Sequence, residues 1–326
     1  MIYPERLKFG DEIRAIAPAS SLSIIPDENI RLAKLKLEEI GFKVTFSKNC
    51  KETDSFDSSS IKSRIKDLHD AFLDKNVKAI LTVIGGFNSN QLLKYIDYGL
   101  IKKNPKILCG YSDITALANV IMCKTGLVTY SGPHFSTFAM KKGLEYTLEY
   151  FKNCLMDSKP FNIEHSKEWS NDAWYRDQEN RIFIKNKGYY AINNGSAKGT
   201  LIGGNLCTLN LLQGTEFMPS LENSILFIED DSESKAVNFD RDLQSLIHLP
   251  EFKGVRGIVI GRFENESKIT SELMIQIIKT KKELDGIPVI VDVDFGHTAP
   301  LVTIPIGGKV SIIASEKDAK IIVEKH

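Results

Sequence analysis

A serine, a glutamate and a histidine in this chain each stand where an apolar run ends, and together those types could carry acyl transfer. Ser112 lies in the segment Gly110-Tyr111-Ser112-Asp113. The apolar run PKILC stops at Gly110, and an apolar helix follows the serine. A side chain on such a strand-to-helix turn stands above the sheet at a helix N-terminus. Partial positive charge and free N–H groups there favour an oxyanion. The segment has the form of a nucleophile elbow, except that Ile114 stands where G-x-S-x-G has its second glycine. Read by itself, a Ser or Asp at this place is ordinarily a helix cap.

A serine nucleophile needs a base, and the base needs an orienting carboxylate. His297, in DFGHTAP, directly follows the run IPVIVDV. Ligands of open sheets gather at such strand ends, although single histidines commonly serve packing. Glu229 ends the run SILFIE, where a charge must be paired or face a cleft. Asp230, Asp231 and Glu233 follow it, so an acidic loop mouth is the other reading. Gly85-Gly86 closes the run VKAILTVI. Glycines there permit close backbone approach to a ligand and expose N–H groups, or simply turn the chain into the next helix. Neither G-x-G-x-x-G nor G-x-x-x-x-G-K-[ST] occurs, so no dinucleotide or nucleotide phosphate loop is expected.

Strands and helices alternate in the half that carries the serine. Ile30, Ala33, Leu37 and Ile40 are spaced for one face of a helix that stops at Gly41, and Ile61, Ile65, Leu68 and Phe72 mark another. Residues 13–17, 44–46, 77–84 and 105–109 read as short buried strands, and residues 113–124 as a helix. This rhythm predicts an α/β fold with a mostly parallel, Rossmann-like sheet and helices on both faces. Residues 155–180 are polar and hold both tryptophans, Trp169 and Trp174, as expected for a long loop beside a cleft or one that the tryptophans anchor to the body. Beyond them the chain turns β-rich, with strands expected at 181–185, 189–192, 198–202, 224–229, 257–260 and 288–293. Helices are expected near 205–213, 238–247 and 268–284, and a hairpin at 309–314 and 320–323. The resulting division is 1–165, carrying the nucleophile, and 166–326, carrying the Glu and His.

Composition narrows the partners. The chain has 326 residues, 42% of them hydrophobic, with 42 basic against 42 acidic side chains. It can bury a core, lacks the basic excess of a nucleic-acid binder, and has no run of the roughly 18 apolar residues that a membrane span needs. Charges at Lys8, Asp11, Glu12 and Arg14 interrupt the place of a secretory signal. The five cysteines include no C-x-x-C pair; Cys109, Cys123 and Cys207 lie in apolar segments and read as core residues. No local histidine pair suggests a metal. A reduced, cytoplasmic setting is expected.

The combination of LKFGDEIRAIAPASS, VKAILTVIGG, GYSDITAL, GTLIGGNLCTLNLLQGTEF, ILFIEDDSE and DFGHTAPLVTIPIG resembles the LD-carboxypeptidase family of serine peptidases nearly end to end. That family includes muropeptide LD-carboxypeptidases and microcin C self-immunity proteins. The resemblance implies an N-terminal α/β domain, a smaller β-rich C-terminal domain and an active site in the cleft between them. It implies a triad of Ser112, Glu229 and His297, an oxyanion hole from the N–H groups of Gly86 and Asp113, a homodimer, and no metal or cofactor. The segment Ile84-Gly85-Gly86-Phe87-Asn88-Ser89-Asn90 lacks the arginine common in muropeptide enzymes and is more similar to the self-immunity branch. So is the loop EWSNDAWYRDQENR. On that reading the substrate is a small peptidyl- or aminoacyl-nucleotide, or alternatively a muropeptide; a non-catalytic small-molecule binder on the same fold is the further alternative, which a complete triad argues against. Trp174, then Trp169, would stack on a base, and Asn88 and Asn205 complete the substrate-binding candidates.

Overall fold

Continuous apolar runs form strands buried on both faces, and these make the centre of a first sheet. The computed structural model describes residues 1–315 and 319–326. Its six-stranded sheet runs in the order Ile304–Ile306, Thr129–Ser131, Ile107–Cys109, Val77–Thr82, Glu12–Ile16, Lys43–Phe46. The last five are mutually parallel, and Ile304–Ile306 joins antiparallel at Ser131. Of the strand Val77–Thr82 only Lys78 is exposed, as a doubly covered strand requires. The helix Asp27–Ile40 buries Ala33, Leu37 and Ile40 and stops at Gly41, whose φ of 108° ends it in the left-handed region.

The second sheet has eight strands, in the order Phe161–Asn162, Lys320–Lys325, Lys309–Ala314, Gly195–Asn205, Ser224–Glu229, Val255–Gly261, Val289–Val293, Tyr190–Asn193. Its four central strands are parallel and bring the C-terminal ends of Ser224–Glu229 and Val289–Val293 to one rim. The expected hairpin is present as Lys309–Ala314 against Lys320–Lys325.

The helix Ile114–Thr125 locks the sheets together. It is buried nearly all round, so it has no solvent face to make amphipathic. Asn119 makes a paired contact with one residue of the second sheet: its Nδ2 donates to Gly203 O (2.8 Å) and its Oδ1 accepts from Gly203 N (3.2 Å). Thr115 Oγ1 accepts from Asn205 N (2.9 Å), and a Cβ on Gly204 would lie 2.4 Å from that oxygen. The Gly-Gly pair lets helix and strand touch.

Some features differ from expectation. The sheets exchange strands across the 165/166 division: Phe161–Asn162 pairs with the tail, and Ile304–Ile306 pairs with the first sheet. The helix Glu145–Leu155 was not anticipated. Residues 155–180 include two short paired strands, Phe161–Asn162 and Glu168–Trp169. Cys109 is buried, but Cys123 and Cys207 are exposed, a correction to their reading as core. Cys123 lies in the last turn of Ile114–Thr125, where that helix reaches the surface beside Lys124, and Cys207 lies in the first turn of the short helix Leu206–Asn210.

Candidate active site

Ser112 reaches its place through backbone strain. Its φ is 60°, in the left-handed region that costs a non-glycine residue about 1–3 kcal/mol. The turn between Ile107–Cys109 and Ile114–Thr125 is thereby sharp enough to lift the hydroxyl above the sheet. Gly85 makes room, since a Cβ there would sit 2.9 Å from both Ser112 Cβ and Ser112 Oγ.

The base and acid come from the rim of the second sheet. The Ser112 hydroxyl donates to His297 Nε2 at 3.0 Å, and His297 Nδ1 donates to Glu229 Oε2 at 2.7 Å. Glu229 is 1% exposed. Gly296, with φ 103°, lies against it: a Cβ there would meet Glu229 Oε2 at 2.5 Å. A glycine before the histidine thus lets the turn close over the carboxylate. Burial disfavours the imidazolium of His297. The Glu229 charge and hydrogen bond, with Asp231 and Glu264 farther off, outweigh it and raise the pKa to about 9. Burial, then Glu229 and Asp231, push Asp230 up to about 7.

Gly86 and Asp113 flank the serine. Neither N–H donates to another group among the described residues. Gly86 has φ 155°, and a Cβ would come 2.7 Å from Ser20 Oγ and 2.9 Å from Ser20 N. Asp113 does not cap its own helix. Its Oδ2 accepts from Ser89 N and its carbonyl from Ser89 Oγ, both at 2.8 Å. This contact ties the loop after Gly86 to the helix start, fixing the two N–H groups relative to each other. Asn88 is directed into the support of that loop: its Oδ1 accepts from the buried Arg64 at 2.9 Å, and Arg64 also donates to Pro18 O at 3.1 Å.

A cavity of about 230 Å³ adjoins the relay, lined by residues including His297, Tyr111, His134, Thr298, Glu264 and Trp174. Trp174 is half-buried and meets Tyr175 edge-on at 6.0 Å. Trp169 lies elsewhere, on a separate cavity of about 440 Å³, where the Arg262 guanidinium covers its ring at 5.2 Å. Asn205 is 2% exposed and engaged at both ends: Oδ1 caps the short helix Leu206–Asn210 through Thr208 N (3.0 Å), and Nδ2 donates to Asp230 Oδ1 (3.1 Å). Sequence reasoning missed Arg64, Tyr111, His134 and Thr298. His134 follows the strand Thr129–Ser131 by three residues, and listing every parallel strand end would have found it. Among the described residues no group of three or more His, Cys, Asp or Glu could hold a metal, and no helix is long and apolar enough to cross a membrane.

The models of the LD-carboxypeptidase N-terminal and C-terminal domains match residues 13–132 and 198–312. The chain is 58% identical over 325 residues to the "Putative carboxypeptidase YocD" of Bacillus subtilis, covering both chains completely. Its fold matches the crystal structure of an MccF-like protein from Bacillus anthracis with TM-score 0.99 and 56% identity, again over both full chains. It also matches MccF in complex with glutamyl sulfamoyl guanosine, with TM-score 0.89 and 30% identity over 99% of this chain and 98% of that one.

Proposed function

The chain belongs to the LD-carboxypeptidase family, and from that premise we propose that it is a serine hydrolase cleaving an amide bond through Ser112, His297 and Glu229. The hydrogen-bonded relay, 3.0 Å from Ser112 Oγ to His297 Nε2 and 2.7 Å from Nδ1 to Glu229, is the observation that carries this reading. His297 takes the Ser112 proton as Oγ attacks the carbonyl. Glu229 holds the ring and balances the imidazolium that forms. The Gly86 and Asp113 N–H groups receive the oxyanion, each such donor being worth about 2.7–4 kcal/mol in a transition state. His297 then gives the proton to the leaving nitrogen, and water releases the acyl group from Ser112 by the same steps.

The substrate favoured is a peptidyl- or aminoacyl-nucleotide. Trp174 on the wall of the triad cavity supports it, as a flat surface for a base. MccF, whose solved complex holds an aminoacyl sulfamoyl nucleoside, supports it too. The second reading is a muropeptide carboxypeptidase releasing terminal D-alanine, which the LD-carboxypeptidase family description favours. A homodimer in the cytoplasm belongs to both readings.

A paired hydrolysis assay read by mass spectrometry, with Ser112→Ala as control, tests the proposal. Ser112→Ala should abolish turnover in a folded protein, and an active variant would overturn the assignment. Cleavage of only an aminoacyl-nucleotide analogue supports the first substrate, and release of only D-alanine from an L,D-linked tetrapeptide the second.

A further inference from the structure

Two polar atoms of residues lining the triad cavity, His134 Nε2 and Thr298 Oγ1, have no hydrogen-bond partner among the described residues. Their residues are 2% and 1% exposed. A buried donor without a partner is costly, and native structures ordinarily satisfy such groups, so an unpaired pair beside a reacting serine awaits a ligand. The tautomer of His134 follows from its other nitrogen. Thr82 Oγ1 lies 2.7 Å from Nδ1 and 3.5 Å from Cys109 O. Placing the hydroxyl proton on the shorter contact makes Nδ1 the acceptor and leaves the ring hydrogen on Nε2, the tautomer assigned here. Burial, with His297 nearby, lowers the His134 pKa to about 3, so the ring stays neutral and keeps that single donor.

His134 Nε2 lies close to the reacting serine. A side chain on Gly85 would begin 2.9 Å from Ser112 Oγ and 3.6 Å from His134 Nε2. The Tyr111 ring stacks on the imidazole at 4.3 Å and fixes its plane. Among the described residues no lysine or arginine lines the cavity, so apart from His297 its donors are neutral. An acidic group held away from His297 must be met by neutral donors.

Both substrates proposed above share one feature. A carboxylate lies two bonds from the scissile nitrogen of a terminal amino acid. A phosphoryl or sulfonyl group is bonded directly to that nitrogen in an aminoacyl-nucleotide or its sulfamoyl analogue. We infer that His134 Nε2–H and the Thr298 hydroxyl form the subsite for this oxo group of the leaving group, which would make His134 a specificity residue common to both substrate classes. The inference rests on the hydrolase reading.

The test measures binding in the Ser112→Ala background, where no turnover intervenes. One ligand is an aminoacyl sulfamoyl nucleoside and the other the matched aminoacyl nucleoside amide without the sulfonyl group. Adding His134→Ala should weaken the first about tenfold or more, as expected for a lost hydrogen bond to a charged group, and the second less than threefold. His134→Gln, which keeps an N–H donor, should recover most of the loss, and Thr298→Val should show the same selectivity. Equal losses for both ligands, or none, would overturn the inference. Fluorophosphonate labelling of the wild-type protein tests the hydrolase reading separately: no adduct at Ser112 would count against the triad while leaving the binding comparison readable.

Discussion

His297 and His134 both pack against the Tyr111 ring, the first edge-on at 5.2 Å and the second stacked at 4.3 Å. They come from different sheets, His297 from the rim of the second and His134 from the first. One is raised to about 9 and the other lowered to about 3. Burial pushes both downward. The difference is what faces each ring: Glu229 at 2.7 Å from one, the Thr82 hydroxyl at 2.7 Å from the other. A carboxylate favours the charged imidazole, and a neutral hydroxyl in a buried setting leaves the ring uncharged. The site keeps one of each within the same small cavity.

Removing the carboxylate should erase that difference. Glu229→Gln should lower kcat by about 10⁴-fold, the scale of losing the orienting acid in a triad. NMR titration should then find His297 well below 9; a value still near 9 would break the comparison. A gentler change leaves the carboxylate but moves it. Gly296→Ala, with a Cβ only 2.5 Å from Glu229 Oε2, should cost about 10²-fold in kcat/KM, the scale of an ångström-sized misplacement. Activity near that of wild type would mean that the turn absorbs the methyl group.

The pH profile sharpens the contrast without mutation. Only neutral His297 can accept the serine proton, so kcat/KM should rise about tenfold per pH unit and level off near 9. Stability should respond to the two rings with opposite sign. The raised pKa of His297 gives stability that is full below 6.5, its ordinary value, and lost as pH rises through about 9. The lowered pKa of His134 gives stability present above 6.5 and lost as pH falls toward about 3. Denaturant melts of wild type and His134→Gln across pH 4–6 should converge at the acid end. The smallest expected effect concerns whether selectivity stops at the cavity wall. Trp174→Ala should weaken a nucleotide substrate about tenfold, within the range of base–aromatic stacking. Trp169→Ala, on the separate cavity, should change KM less than threefold; equal effects would join the two surfaces into one site.

That Ser112, Glu229 and His297 come together was legible because each stands at or just past the end of an apolar run, and strand ends converge on one rim in open α/β sheets. The same logic applied to Thr129–Ser131 would have reached His134, but that strand is only three residues long and its run is broken by polar side chains. Asn205 sits beside the relay, yet its side chain is occupied as a cap, a choice its residue type leaves open. Trp169 and Trp174 are five residues apart on one polar loop, and only the folded path separates their cavities. The strand exchange was hidden because edge pairing between segments more than 150 residues apart leaves no local pattern.

That exchange has a mechanical consequence. The segment between Val289–Val293 and Ile304–Ile306 carries His297 from one sheet to the other, anchored at both ends like a bridge deck on two abutments. Swinging the sheets apart as rigid leaves would pull that deck taut and peel a strand from its neighbour. Either half expressed without the other would present a bare sheet edge, a template for aggregation. A split version of this protein should regain activity only if the cut spares both exchanged strands.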